Sequence, residues 1–87
     1  MKTCEITVQH PVGLHARPAT LFVTMAKKYA SDVGIKFNNQ TANAKSLLEL
    51  LSLGITKDST IEIFADGEDE EATISDLINL VKSNFNE

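Results

Sequence analysis

Cysteine occurs once, at Cys4, so no disulfide can form within the chain and stability must rest on a packed core. Two histidines and that single thiol fall short of a closed four-ligand zinc site unless carboxylates join them. No metal and no cofactor is expected. Only four glycines and two prolines are present, which excludes a linker, a collagen-like array and a disordered chain. Apolar runs are a few residues long, so no transmembrane helix and no membrane insertion is expected. The start, Met1-Lys2-Thr3-Cys4-Glu5, sets an acid soon after a base and has no apolar stretch. It does not read as a signal peptide, and a cytoplasmic location is the default expectation. A net charge of −4 argues against a nucleic-acid partner. What remains is a chain of 87 residues, 43% hydrophobic and 23% charged, which suits one small globular domain spanning residues 1–87. It shows no sign of an obligate oligomer, so a monomer is expected.

The charge is segregated. Residues 1–57 hold seven bases and three acids, net +4, whereas residues 58–87 hold one base and nine acids, net −8. A basic first part can steer toward acidic partners or phosphoryl groups, although charges also simply coat a solvated surface.

Periodicity orders the elements. Cys4, Ile6 and Val8 alternate with Thr3, Glu5, Thr7 and Gln9, which predicts a strand with one buried face. His10-Pro11-Val12-Gly13 breaks it. A helix is expected from about Ala16, with Ala19, Phe22, Val23, Ala26 and Ala30 on one face and Pro18 in the first turn. Val33, Ile35 and Phe37 predict a second strand, Asn38-Asn39-Gln40 a turn, and Thr41 to Asn43 a hairpin return. Ser46 opens a short leucine-rich helix that Gly54 stops. Thr60 to Ala65 reads as a fourth strand, and Asp66-Gly67 as a turn. The last helix starts among Glu68, Asp69, Glu70 and Glu71, where acids suit the positive end of the dipole. Its buried stripe is Ile74, Leu77, Ile78, Val81 and Phe85. The order βαββαβα predicts an α+β open-faced two-layer sandwich: a four-stranded antiparallel sheet with three helices on one face. Glu5, Thr7, Lys36 and Glu62 suit the solvent face, and Phe64 falls there against the pattern.

The segment Gly13-Leu14-His15-Ala16-Arg17-Pro18-Ala19 carries the chemistry. It is a strand-to-helix turn with a histidine at the helix mouth. Amides at a helix N-terminus bind anions, phosphate above all. The same positive end disfavours the imidazolium, and a neutral imidazole has a lone pair for nucleophilic attack. Arg17, two residues on, can fork onto phosphoryl oxygens. Gly13 lets the backbone turn and keeps bulk from the ring. No carboxylate is close in sequence to activate water, which suits a phosphoryl carrier better than a phosphatase. The bland alternative makes His15 a capping side chain and Arg17 a surface charge.

Opposite the buried stripe of the first helix lie Arg17, Leu21, Thr24 and Lys28, with Leu21 apolar on a polar face. Leu47 to Leu53 contains five leucines, more than so short a helix can bury. Leu50 and Leu53 suit the core, which leaves Leu47, Leu48 and Leu51 partly exposed as a partner surface. Ser46 is a natural N-cap, and a phosphoryl group there would also sit well on the helix dipole. Cys4 is expected to pack inward, and His10 is read as a loop residue. A His10–His15 metal pair lacks further ligands. The run Asp66 to Glu71 reads as a solvated helix start, since it lacks the ligand spacing of a calcium loop.

The His15 segment resembles the active-site signature of the HPr family, the histidine-containing phosphocarriers of the phosphoenolpyruvate-dependent sugar phosphotransferase system. Asn43-Ala44-Lys45-Ser46-Leu47, followed by Leu51-Ser52-Leu53-Gly54, resembles that family's regulatory-serine segment. The resemblance runs nearly end to end. It implies that His15 takes a phosphoryl group on Nδ1 from phospho-enzyme I and passes it to the EIIA component of sugar permeases, with Arg17 assisting. Ala16 and Arg17 would bind the phosphate at the helix N-terminus, with Pro18 included by position only. Thr20, Leu21, Thr24, Lys27, Lys28, Leu47, Leu48, Glu49 and Leu51 would form the docking face. Ser46 would be the site for an HPr kinase/phosphorylase, and the phosphoserine form a corepressor for the catabolite control protein. Glu49 departs from the glycine or lysine usual there and puts an acid in that face. Leu48 and Leu51 also replace the residues usual at their positions. The paralogue lacking the histidine is excluded by His15. Two other readings are a nitrogen-branch regulator of the same fold and an acylphosphatase-like hydrolase using Arg17.

Overall fold

The computed structural model describes residues 1–11 and 13–86. Val12, read as part of the break after the first strand, and the terminal Glu87 lie outside the described residues. The elements run β1 (Lys2–Thr7), α1 (Ala16–Ala26), β2 (Asp32–Phe37), β3 (Gln40–Asn43), α2 (Leu47–Ser52), β4 (Thr60–Asp66) and α3 (Glu70–Lys82), then a 3-10 turn over Asn84–Asn86. The strands lie in the order β1-β4-β2-β3, every neighbouring pair antiparallel. The expected α+β architecture is the one formed.

Register follows from the period of two, because each strand must turn its apolar set to one side. Cys4, Ile63, Ile35 and Ala42 stand in one row across the sheet. Phe22 of α1, Leu50 of α2 and Leu77 of α3 are fully buried with Ile35, Ile61 and Ile63 of the sheet. The β2–β3 hairpin closes on Asn38 and Asn39, both with positive φ (50° and 63°), the conformation a two-residue turn needs and asparagine tolerates.

The solvent face carries Glu5, Glu62, Lys36 and Thr41 in one row. Phe64 sits in the next row opposite Gly34. A Cβ on Gly34 would lie only 2.2 Å from Phe64 Cζ, so the ring covers the bare backbone of that glycine. That close packing accounts for an aromatic on the open side.

Three expectations need correction. Ala30 is not on the buried face of α1: the helix ends at Ala26, and Ala30 is exposed. Asp69 holds the turn that follows: its carboxylate accepts from Ala30 N–H (2.8 Å), Ser31 N–H (2.9 Å) and the Ser31 hydroxyl. Asp69 is therefore a tie between the α1–β2 turn and α3 and not simply a solvated helix start. Its pKa is lowered to about 2, first by the Ser31 hydroxyl and then by the Ala30 amide. Phe85 is buried as expected, yet it lies beyond α3 in the 3-10 turn, with φ 59°. His10 lies in a loop but is buried, 8% exposed, with its ring edge-on to Phe85 at 5.8 Å.

Candidate functional site

His15 is the N-cap of α1. Its backbone is extended (φ −87°, ψ −170°), and its carbonyl accepts the first helical bond, from Ala19 N–H, at 2.8 Å. Its side chain makes no capping bond to the helix, so the reading of His15 as a capping side chain fails. The imidazole is instead exposed at the mouth of the helix. Ala16 and Arg17 form the start of the first turn, at the positive end of the helix dipole. Pro18 has no N–H to offer; it is buried and anchors the turn in the core. Thr20 Oγ1 donates to the Ala16 carbonyl at 2.7 Å. Arg17 is exposed on this same turn.

Two loops meet at the site. Gly13 N–H donates to His10 O (2.8 Å) and Leu14 N–H to Ile55 O (3.0 Å), which stitches the β1–α1 loop to the α2–β4 loop. Gly13 has φ +67°, and a Cβ there would lie 2.6 Å from both Ile55 O and Thr56 Cα. Only glycine permits this approach. Between the loops opens a cleft of about 370 Å³ lined by Leu14, His15, Ala16, Leu51, Gly54, Ile55 and Thr56. Its described walls carry no carboxylate. Among the described residues no group of three His, Cys, Asp or Glu side chains could hold a metal ion, and His10 lies with Phe85 in the core.

The serine segment folds as expected. Ser46 is the N-cap of α2, and its Oγ accepts from Glu49 N–H at 3.4 Å. Leu50 and Leu53 are buried, while Leu47, Leu48 and Leu21 are 37%, 83% and 37% exposed. Leu51 is half-buried. Helices α1 and α2 pack together, so these leucines belong to adjoining helices, with exposed Thr20, Thr24, Lys27 and Lys28 on α1 and the turn that follows it. Two features were missed at the level of sequence. Glu49 is exposed, but its Oε1 turns back to accept from Asn43 N–H at 3.1 Å, three residues before the Ser46 amide that a Ser-x-x-Glu capping box would bind. Lys45 reaches away and donates from Nζ to the Tyr29 carbonyl at 2.8 Å, a long-range bond with no local signal.

A family model for the PTS HPr component phosphorylation site matches residues 2–83. The chain belongs to the HPr family. The HPr of Buchnera aphidicola subsp. Baizongia pistaciae is 47% identical over 73 residues, covering 84% of this chain and 86% of that one. The HPr-C-His crystal structure from Thermoanaerobacter tengcongensis matches with a TM-score of 0.97 at 40% identity, over 100% of this chain and 98% of that chain. The HPr of Bacillus anthracis gives a TM-score of 0.89 at 36% identity, over 92% and 95% of the two chains. The chain is thus an HPr-type phosphocarrier of the phosphotransferase system. No helix among the described residues is long and apolar enough to cross a membrane.

Proposed function

We propose that His15 is the residue that carries the phosphoryl group, accepting it on Nδ1 from phospho-enzyme I and handing it to an EIIA component. The observation that carries this reading is the exposed, uncapped imidazole of His15 at the N-terminus of α1. Nδ1 is the ring nitrogen bonded to Cγ and so the one nearer the backbone. The lone pair attacks phosphorus, the N–P bond forms, and the bond to the donor breaks with its electron pair leaving on the donor. Nε2 keeps its proton, and the reverse step on the acceptor restores the neutral ring. Backbone amides and the Arg17 guanidinium hold the phosphoryl oxygens, each charge-assisted bond contributing about 1.5–3 kcal/mol. A described cleft wall free of carboxylates supplies no base for water, which favours a group that is carried over one that is hydrolysed.

Both protein partners dock on the exposed residues of α1 and α2 named above, their apolar centre rimmed by Arg17, Lys27 and Lys28. Ser46 is the regulatory site, open to an HPr kinase/phosphorylase, with the catabolite control protein as reader. Its bond at the helix N-cap is long, so exchanging it for a phosphoryl group on the same dipole costs little.

The test is intact mass after incubation with phosphoenolpyruvate and enzyme I. One acid-labile phosphoryl group is expected on the native chain and none on His15→Ala. An adduct that survives in His15→Ala, or none on the native chain in a mixture that charges another HPr, refutes the reading.

A further inference from the structure

The cleft beside His15 has one polar side chain besides the histidine among its described residues. Leu14, Ala16, Leu51, Gly54 and Ile55 are apolar or lack a side chain, and Thr56 alone carries a hydroxyl. A mostly apolar cleft with a single placed polar group is the usual build of a site that orients a small polar ligand. The placement of Thr56 is tight. Its Cα is so close to Gly13 that a Cβ on the glycine would lie 2.6 Å away, and Gly13 is two residues from His15. The bond from Leu14 N–H to Ile55 O clamps the same two strips of backbone together one residue nearer His15.

The hydroxyl is also paired. Thr56 N–H donates to Ser59 Oγ at 3.3 Å, and Ser59 Oγ lies 3.3 Å from Thr56 Oγ1. Either hydroxyl can be the donor in this pair; in one of its two arrangements Ser59, its oxygen accepting from the amide, donates its own proton to Thr56 Oγ1. That arrangement leaves the Thr56 proton for the cleft, and such a chain of donors polarises the last one.

We infer that Thr56 is a phosphoryl-binding residue: its hydroxyl donates to an oxygen of the phosphoryl group on His15, on the side away from the Ala16 and Arg17 amides. Ser59 is the positioning residue behind it. The inference rests on the proposed role of His15. No bond to phosphorus changes at Thr56. The contact exists only in the phosphorylated state, so it deepens the hold on the group and lowers its tendency to leave.

The experiment is a partition. Isotope-labelled native chain is charged by phosphoenolpyruvate and catalytic enzyme I, then equilibrated with an equal amount of unlabelled Thr56→Val, and both masses are read. The phosphoryl group is expected to favour the native chain about fivefold, as for one hydrogen bond at an exposed site. Thr56→Ser is expected to share it about equally, with the Tm of the unphosphorylated chains unchanged. Equal partition with Thr56→Val overturns the inference while leaving His15 as the carrier. A partition defect that tracks a fall in Tm and is not restored by Thr56→Ser assigns Thr56 a purely structural role and also overturns it. Absence of any labile group on the native chain removes the His15 reading itself, and the inference with it.

Discussion

Single residues set two of the constraints on this molecule. Gly13 lies in the left-handed region against the Ile55–Thr56 backbone, with no room for a methyl. Gly13→Ala is expected to lower stability by about 1–3 kcal/mol, from backbone strain together with overpacking. The urea midpoint reads the loss, and an unchanged midpoint would show that the two loops can separate freely. Asp69 is the second. Its folded pKa, about 2, lies below the ordinary 3.8 because the Ser31 hydroxyl and two amides bind the carboxylate. Its contribution to stability is therefore complete above the ordinary value and disappears as pH falls toward about 2. The urea midpoint of the native chain is expected to fall as pH drops through that window. Asp69→Asn is expected to start lower at neutral pH and to fall less. Parallel curves for the two proteins would rule out this tie as the source of the acid sensitivity.

At the scale of elements, α2 has two separable faces. Ser46 caps it and Leu50 roots it in the core, while Leu48 stands 83% exposed. Ser46→Ala is expected to cost about 0.5–1 kcal/mol, toward the low end of N-cap losses because the bond is long. Ser46→Asp keeps a capping acceptor and should hold stability near the native value. Leu48→Ala should change stability by less than about 0.5 kcal/mol, as surface substitutions do. It should nonetheless weaken association with enzyme I, measured by titration calorimetry, by severalfold or more. Unaltered affinity would place the docking centre elsewhere than on α2.

For the whole molecule the segregated charge matters. The part that contains α1, α2 and His15 is net basic and the last 30 residues are net acidic. Association with an acidic partner at the basic face should slow as salt rises past the point where the screening length falls below about 10 Å. Stopped-flow association rates over a salt series read this directly. Lys27→Glu with Lys28→Glu should lower the rate at low salt and flatten its salt dependence. A slope identical to that of the native chain would show that these two lysines do not steer.

Local pattern alone determined much of this protein. The strands follow from Cys4, Ile6, Ile61 and Ile63 at period two, the helices from their apolar stripes, and the caps and stops from Ser46 and Gly54, because each depends on neighbours a few residues away. The His15-to-Ala19 segment was legible for the same reason: a helix mouth, its amides and an arginine are contiguous in the chain. What lies far apart in sequence was decided only by tertiary structure. Asp69 reaches Ala30 and Ser31 across 39 and 38 residues and fixes the turn after α1. Lys45 finds the Tyr29 carbonyl, Phe64 covers Gly34, and His10 packs on Phe85. The cleft itself, with Thr56 beside His15, exists because Gly13 admits the Ile55–Thr56 backbone at van der Waals distance. Such partners leave no periodic trace, since a hydrogen bond or a ring contact is set by where two elements pack and not by the residues on either side of it.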